Sequence, residues 1–240
     1  MSELRYPIPW DLVFSLTPHI ARRTQAPTAA LLAAIVERMP APPLFHGLEN
    51  IPSSPPFVVA ANHYERRGLW IAHSTAAIAH AVAQRTPRDT PFRWLVTANF
   101  PPLRLGPWKL PSPGDLFLPH VARALGYFPV PFATSNPRRT ARSLLAALRE
   151  APHCVLGLYP EGAQAAAGSI GPPLPGMDRF FRRLAQRNLP ILPTRISDNS
   201  RQLIIEFLSP ISPAQLAGNP APASAVMDWI ANRRNFDRHR

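Results

Sequence analysis

Phe57-Val58-Val59-Ala60-Ala61-Asn62-His63 is an apolar, β-branched run that stops on a polar pair. Further along, Cys154-Val155-Leu156-Gly157-Leu158-Tyr159 repeats the pattern and stops on Pro160-Glu161-Gly162. Short, continuous apolar runs of this kind read as strands buried on both faces. In an open α/β sheet the functional residues collect at the carboxyl ends of such strands. The two runs therefore nominate His63 and Glu161 for one shared crevice.

Working outward, the pattern predicts strands at 57–62, 92–98, 127–132, 154–159, 191–196 and 202–208. Helices are predicted between and after them at 69–84, 117–125, 138–150, 177–188 and 223–234. This alternation argues for an α/β fold, a mainly parallel mixed sheet covered by helices. The last strand follows the turn signal Asn199-Ser200 and is expected to run antiparallel to its predecessor. Ahead of the sheet, 10–23 and 28–39 read as two helices separated near Pro27. The chain thus divides into an N-terminal helical segment (1–40), an α/β domain (41–214) and a C-terminal helix with a basic tail (215–240). The proline-rich stretch 100–114 lacks periodicity and is expected as a surface loop able to cover a site.

Hydrophobic residues make up 46% of the 240, enough for a full core and too many for a disordered chain. The formal net charge is +12, carried almost wholly by arginine, since Lys109 is the sole lysine. With 32 prolines and many alanines, this composition partly reflects a GC-rich coding sequence. The arginines are scattered and lack an aromatic-rich partner motif, which argues against nucleic acid. An anionic membrane surface is the better match to the charge. The N-terminal helices suit that role with Trp10, Phe14 and Arg22-Arg23, or else pack on the main domain. No apolar run approaches the ~20 residues that span a bilayer, and no signal peptide is visible. The expected location is cytoplasmic, peripheral to the inner face of the membrane. Cys154, the lone cysteine, leaves no internal disulfide and reads as a core residue.

For chemistry, His63 stands out. An imidazole at a sheet edge suits a general base, because its ordinary pKa lies near working pH. His73 and His80 are too far apart along a helix for the metal-binding i, i+4 pairing, and His120 and His153 have no partner by spacing. Neither a glycine-rich phosphate loop nor a G-x-S-x-G elbow is present. No metal and no bound cofactor are expected.

Five segments, in order, carry a resemblance: Phe45-His46-Gly47-Leu48-Glu49-Asn50-Ile51-Pro52, Val59-Ala60-Ala61-Asn62-His63, Gly126-Tyr127-Phe128-Pro129-Val130, Tyr159-Pro160-Glu161-Gly162 and Leu189-Pro190-Ile191-Leu192-Pro193. Together they resemble the blocks of the glycerolipid acyltransferase family, lysophosphatidic acid acyltransferase type. The resemblance implies transfer of a fatty acyl group from a thioester, acyl-CoA or acyl carrier protein, to a hydroxyl of a lipid-like acceptor. It implies His63 as general base, with the family's aspartate orienting the imidazole as in hydrolase triads. The substrate side would involve Asn62, Arg66, Arg67, Phe132, Pro160, Glu161, Gly162 and Gln164.

The chain departs from that pattern where phosphate and imidazole would be held. Gly68 occupies the aspartate position, Phe132 an arginine position, Ala163-Gln164 a threonine and arginine, and Pro175 a frequent lysine. Charge-assisted contacts of this kind contribute about 1.5–3 kcal/mol each, so their loss points to a neutral hydroxyl or amine acceptor. Glu65 is the nearest replacement carboxylate and joins His63 as a catalytic candidate; Glu161, Asp115 and Asp178 are alternatives through the fold. Arg66 and Arg67, or Arg138, Arg139 and Arg142, offer other anion contacts. An aspartate restored at Gly68 is expected to raise turnover. The competing expectation is a catalytically weakened relative that still binds lipid or acyl groups.

Overall fold

The computed structural model describes residues 4–97, 103–105, 108–110, 113–131, 137–162, 170–199 and 201–232. Seven strands make the main sheet: β1 (Leu44–His46), β2 (Phe57–Ala61), β3 (Phe92–Thr97), β6 (Phe128–Val130), β7 (Val155–Leu158), β8 (Ile191–Asp198) and β9 (Leu203–Phe207). Their order is β1-β9-β8-β2-β7-β3-β6, and every neighbouring pair is parallel except β8 with β9. The expected mixed, mainly parallel α/β sheet is what forms.

Every residue of β2 and β7 is buried, as their unbroken apolar runs require. Alternation along β2 splits the core in two. Phe57, Val59 and Ala61 face α3 (Thr28–Glu37) and α4 (Ile71–Ala83), meeting Ile35, Ile78 and Val82. Val58 and Ala60 face the opposite layer, α6 (Pro137–Glu150), α7 (Met177–Gln186) and α9 (Pro222–Ala231), meeting Leu148, Phe181 and Val226. Strand periodicity alone assigns each residue to its layer.

Three sequence expectations change. The helix expected over 10–23 is two, α1 (Trp10–Phe14) and α2 (Thr17–Arg22). Pro18 has no N–H to return to Phe14, and Ser15 Oγ donates to the Leu12 carbonyl at 2.7 Å, closing the first helix. The stretch 100–114 is not featureless, since β4 (Leu103–Leu105) and β5 (Trp108–Leu110) form an antiparallel ribbon. Neither strand contains a proline, so every residue in the ribbon keeps its ladder donor. Helix α5 (Pro113–Ala124) then begins earlier than expected, and β1 and α8 (Pro213–Ala217) are too short to give a periodic signal.

The register of β2 on β7 runs from Phe57↔Val155 to Ala60↔Leu158. Continued past both strand ends, it sets His63 opposite Glu161. On the other side of β2, Asn62 prolongs the pairing with β8 beyond Ala61↔Thr194. Its amide donates to the Ile196 carbonyl (3.0 Å) and accepts from the Ile196 N–H (2.7 Å). Strand β2 thereby keeps its neighbours on both sides up to the residue before His63.

Asn62→Ala should cost roughly 2–4 kcal/mol, because both Ile196 backbone groups lose their buried partner. Urea denaturation reads this directly; an unchanged midpoint would mean that the pair contributes nothing beyond what water supplies.

Candidate functional site

At the carboxyl ends of β2 and β7 the backbone N–H of His63 donates to Glu161 Oε2 at 2.5 Å, and the N–H of Gly171 donates to Oε1. Glu161 is only 6% exposed. Burial raises its pKa, and the two amide donors act against that shift. Both oxygens are thus spent on backbone, so the carboxylate builds the crevice wall instead of reaching into it. The Pro160 carbonyl accepts from Leu174 N–H at 2.8 Å, fastening the 170–174 segment over the end of β7. Gly162 sits at φ +68°, where a Cβ would come within 2.1 Å of the Leu174 side chain, so glycine is needed there.

The His63 ring is half-buried and lies edge-on to Tyr159, ring centres 5.3 Å apart. Tyr159 in turn stacks on Trp94 at 4.8 Å and shares a 2.9 Å hydrogen bond with Thr75 Oγ1. Trp94 fits because Gly157 faces it across β3 and β7; a Cβ there would stand 2.5 Å from the indole. Burial raises the Tyr159 phenol pKa, keeping it neutral. Burial also lowers the His63 pKa, with the nearby Glu65 carboxylate pulling the other way. The imidazole is therefore neutral near pH 7 and competent to accept a proton. Its Nδ1 is buried without a hydrogen-bond partner among the described residues. Tyr159 and Trp94 were not singled out as site residues from sequence, although Tyr159 closes the apolar run that starts at Cys154.

The segment after His63 has a form that motif counting does not anticipate. Arg66 and Leu69 pair across a tight turn, with Leu69 N–H to Arg66 O at 2.9 Å, and Gly68 takes φ +80° within it. A Cβ on Gly68 would meet Arg5 at 2.9 Å, and the Gly68 carbonyl accepts from Tyr6 N–H at 2.6 Å. The vacant aspartate position is thus a turn glycine packed on the N-terminal arm. Glu65 Oε1 instead accepts from Ile71 N–H (3.1 Å), the first residue of α4, where the positive end of the helix favours a carboxylate. From there it acts electrostatically on both His63 and Tyr159.

The other candidate residues are placed as follows. Arg66, expected to touch substrate, pairs with Asp198 and donates to the carbonyls of Arg67 (3.0 Å) and Leu4 (2.9 Å). Asn62 is occupied by Ile196, as described above. Asp178, a possible orienting carboxylate, accepts from Ala223 N–H at the start of α9 (2.9 Å). Arg67 is exposed on the turn. Phe132 and Gln164 lie outside the described residues, as do the side chains of Asp115 and Arg138. His73 is a packed residue holding the Pro7 carbonyl through Nε2 (3.2 Å), while half-buried His80 bonds Gln84. Beside Tyr159 and Gly162 opens an apolar groove of about 120 Å³, lined by Leu95, Val96, Val130, Leu144 and Met177.

No protein-family model and no curated protein sequence matches this chain. Among solved structures it is similar to the 1-acyl-sn-glycerophosphate (LPA) acyltransferase PlsC from Thermotoga maritima. The TM-score is 0.59 at 16% sequence identity, over 89% of this chain and 79% of that one. The chain therefore has the fold of a glycerolipid acyltransferase, in a divergent sequence.

Gly68→Asp should lower stability through backbone strain and contact with Arg5, and give no gain in thioester turnover; a faster, equally stable variant would contradict the turn geometry. The depressed pKa values of His63 and His73, both caused by burial, set a pH dependence. Unfolded chains take up these protons near the ordinary value of about 6.5 while the folded chain resists. The stability involved is present above that pH and lost as pH falls below it. His73→Gln should shrink the loss between pH 7 and 5 in denaturation curves, whereas an identical slope would show that His73 titrates as in the unfolded chain. The raised Glu161 pKa acts in the opposite sense and cancels between the two proteins.

Proposed function

We propose that the protein transfers a fatty acyl group from a thioester donor to a hydroxyl of a lipid-like acceptor, with His63 as general base. The observation that carries this reading is the half-buried His63 imidazole at the carboxyl edge of β2, sharing its crevice with the Pro160–Gly162 turn. The base accepts the hydroxyl proton as the oxygen attacks the thioester carbonyl; the C–O bond forms, the C–S bond breaks, and the proton returns to the departing thiolate. No covalent enzyme intermediate is needed. Glu65 fills the office of the missing aspartate, stabilising the imidazolium through space from the start of α4. The apolar groove beside Leu144 and Met177 receives hydrocarbon of the substrate, for which its lining is suited.

The acceptor we favour is neutral. Arg66 is spent on Asp198, and Gly68, Phe132, Gln164 and Pro175 replace the polar or charged positions of the family pattern. A second reading, a weakened acyl-binding relative, is favoured by one observation: His63 Nδ1 has no hydrogen-bond partner among the described residues. An imidazole without an orienting carboxylate loses up to about 10⁴ in turnover in the well-studied triads.

Purified protein given long-chain acyl-CoA and a panel of neutral and phosphorylated acceptors separates the two. The enzyme reading expects acceptor-dependent thiol release that vanishes in His63→Ala and falls at least about tenfold in Glu65→Gln, both variants remaining folded. Acyl-CoA binding without release for any acceptor supports the weakened relative.

A further inference from the structure

A cleft of about 490 Å³ opens between α2 and α5, away from the His63 crevice, lined by His19, Arg23, Thr24, His120 and Arg123 among others. Its volume lies within the ~300–1,000 Å³ range of small-molecule sites. Every charged side chain on its wall is basic. Arg23 and Arg123 have no carboxylate partner among the described residues, whereas Arg38, Arg66 and Arg195 each hold one. Thr24 adds a hydroxyl, fixed by a 3.2 Å contact with His19 Nδ1. Arg23 is one of two non-glycine residues with positive φ among those described, at +56°, where the chain turns after α2. Two arginines without a carboxylate partner give the cleft a positive charge that an anion would balance.

Helix α5, one wall of the cleft, and α1, which precedes α2 in the chain, carry three of the exposed aromatics. Trp10 is 58% exposed and Phe14 66% on α1, and Phe117 is 51% exposed on α5. Arginine forks suit a phosphate, which accepts two parallel N–H donors from each guanidinium.

We infer that the cleft between α2 and α5 binds a phosphate group borne by a larger molecule, through Arg23 and Arg123. The same chemistry is offered by an anionic lipid headgroup or by a soluble phosphate ester. This inference does not rest on acyl transfer, and its test reads binding alone.

The full chain would be titrated with phosphatidylcholine vesicles with and without phosphatidylglycerol, and separately with sn-glycerol 3-phosphate. The variant is Arg23→Asn with Arg123→Gln, asparagine being tolerant of positive φ. A control removes two exposed arginines elsewhere, Arg149→Gln with Arg183→Gln. Circular dichroism verifies both folds. Binding to the anionic vesicles should weaken about tenfold or more in the cleft variant and less than about threefold in the control. That result assigns the phosphate to lipid. Binding of the soluble ester alone, lost in the cleft variant, keeps the phosphate site and assigns it a soluble ligand. Equal losses in the two variants, or a wild type that binds neither ligand, would overturn the inference.

Discussion

The parallel register of β2 against β7 is the constraint on which the site depends. Side chains alternate along a strand, so a slip of one residue would turn the whole buried set of β2 toward the wrong layer. The same register sets the His63 N–H on the Glu161 carboxylate just beyond the strand ends. Asn62 secures the other flank on β8. Because β2 is fully buried between two parallel neighbours, the energy that places His63 comes from the core and not from the site itself. A rigid backbone carries the ring, and the aromatic stack of Tyr159 on Trp94 sets its surroundings.

The segment after His63 shows how a motif position can change its work. The N-terminal arm runs against it: Leu4 accepts from Arg66, Tyr6 donates to Gly68, and the Tyr6 hydroxyl accepts from Leu203 at the start of β9. That packing asks for a tight turn, and the turn asks for glycine. Glu65, off the turn tip, holds its carboxylate at the α4 N-terminus, which stabilises it. The arm links the N-terminal helices to the loop that follows His63.

Much of the fold could be read from residue patterns. The β-branched run at 57–61 and the apolar one at 155–158 are long enough and uniform enough to declare buried strands, and their polar ends marked the crevice. What could not be read was everything set by partners distant in the chain. Arg66 looks like an anion contact until Asp198, at the far end of β8, takes its guanidinium. Gly68 looks like a lost catalytic residue until Arg5 is seen packed on it. Trp94 carries no local sign of stacking on Tyr159, since Gly157 makes that room from a neighbouring strand. The β4–β5 ribbon was hidden because prolines between short strands read as a loop, although none interrupts the ladder.

A crystal structure with an unreactive thioether analogue of a long-chain acyl-CoA bears most directly on the account. The analogue should lie with its acyl carbon beside the His63 ring and its tail in the groove near Leu144 and Met177. An analogue seated away from His63, in a protein whose β2 and β7 keep their register, would contradict it.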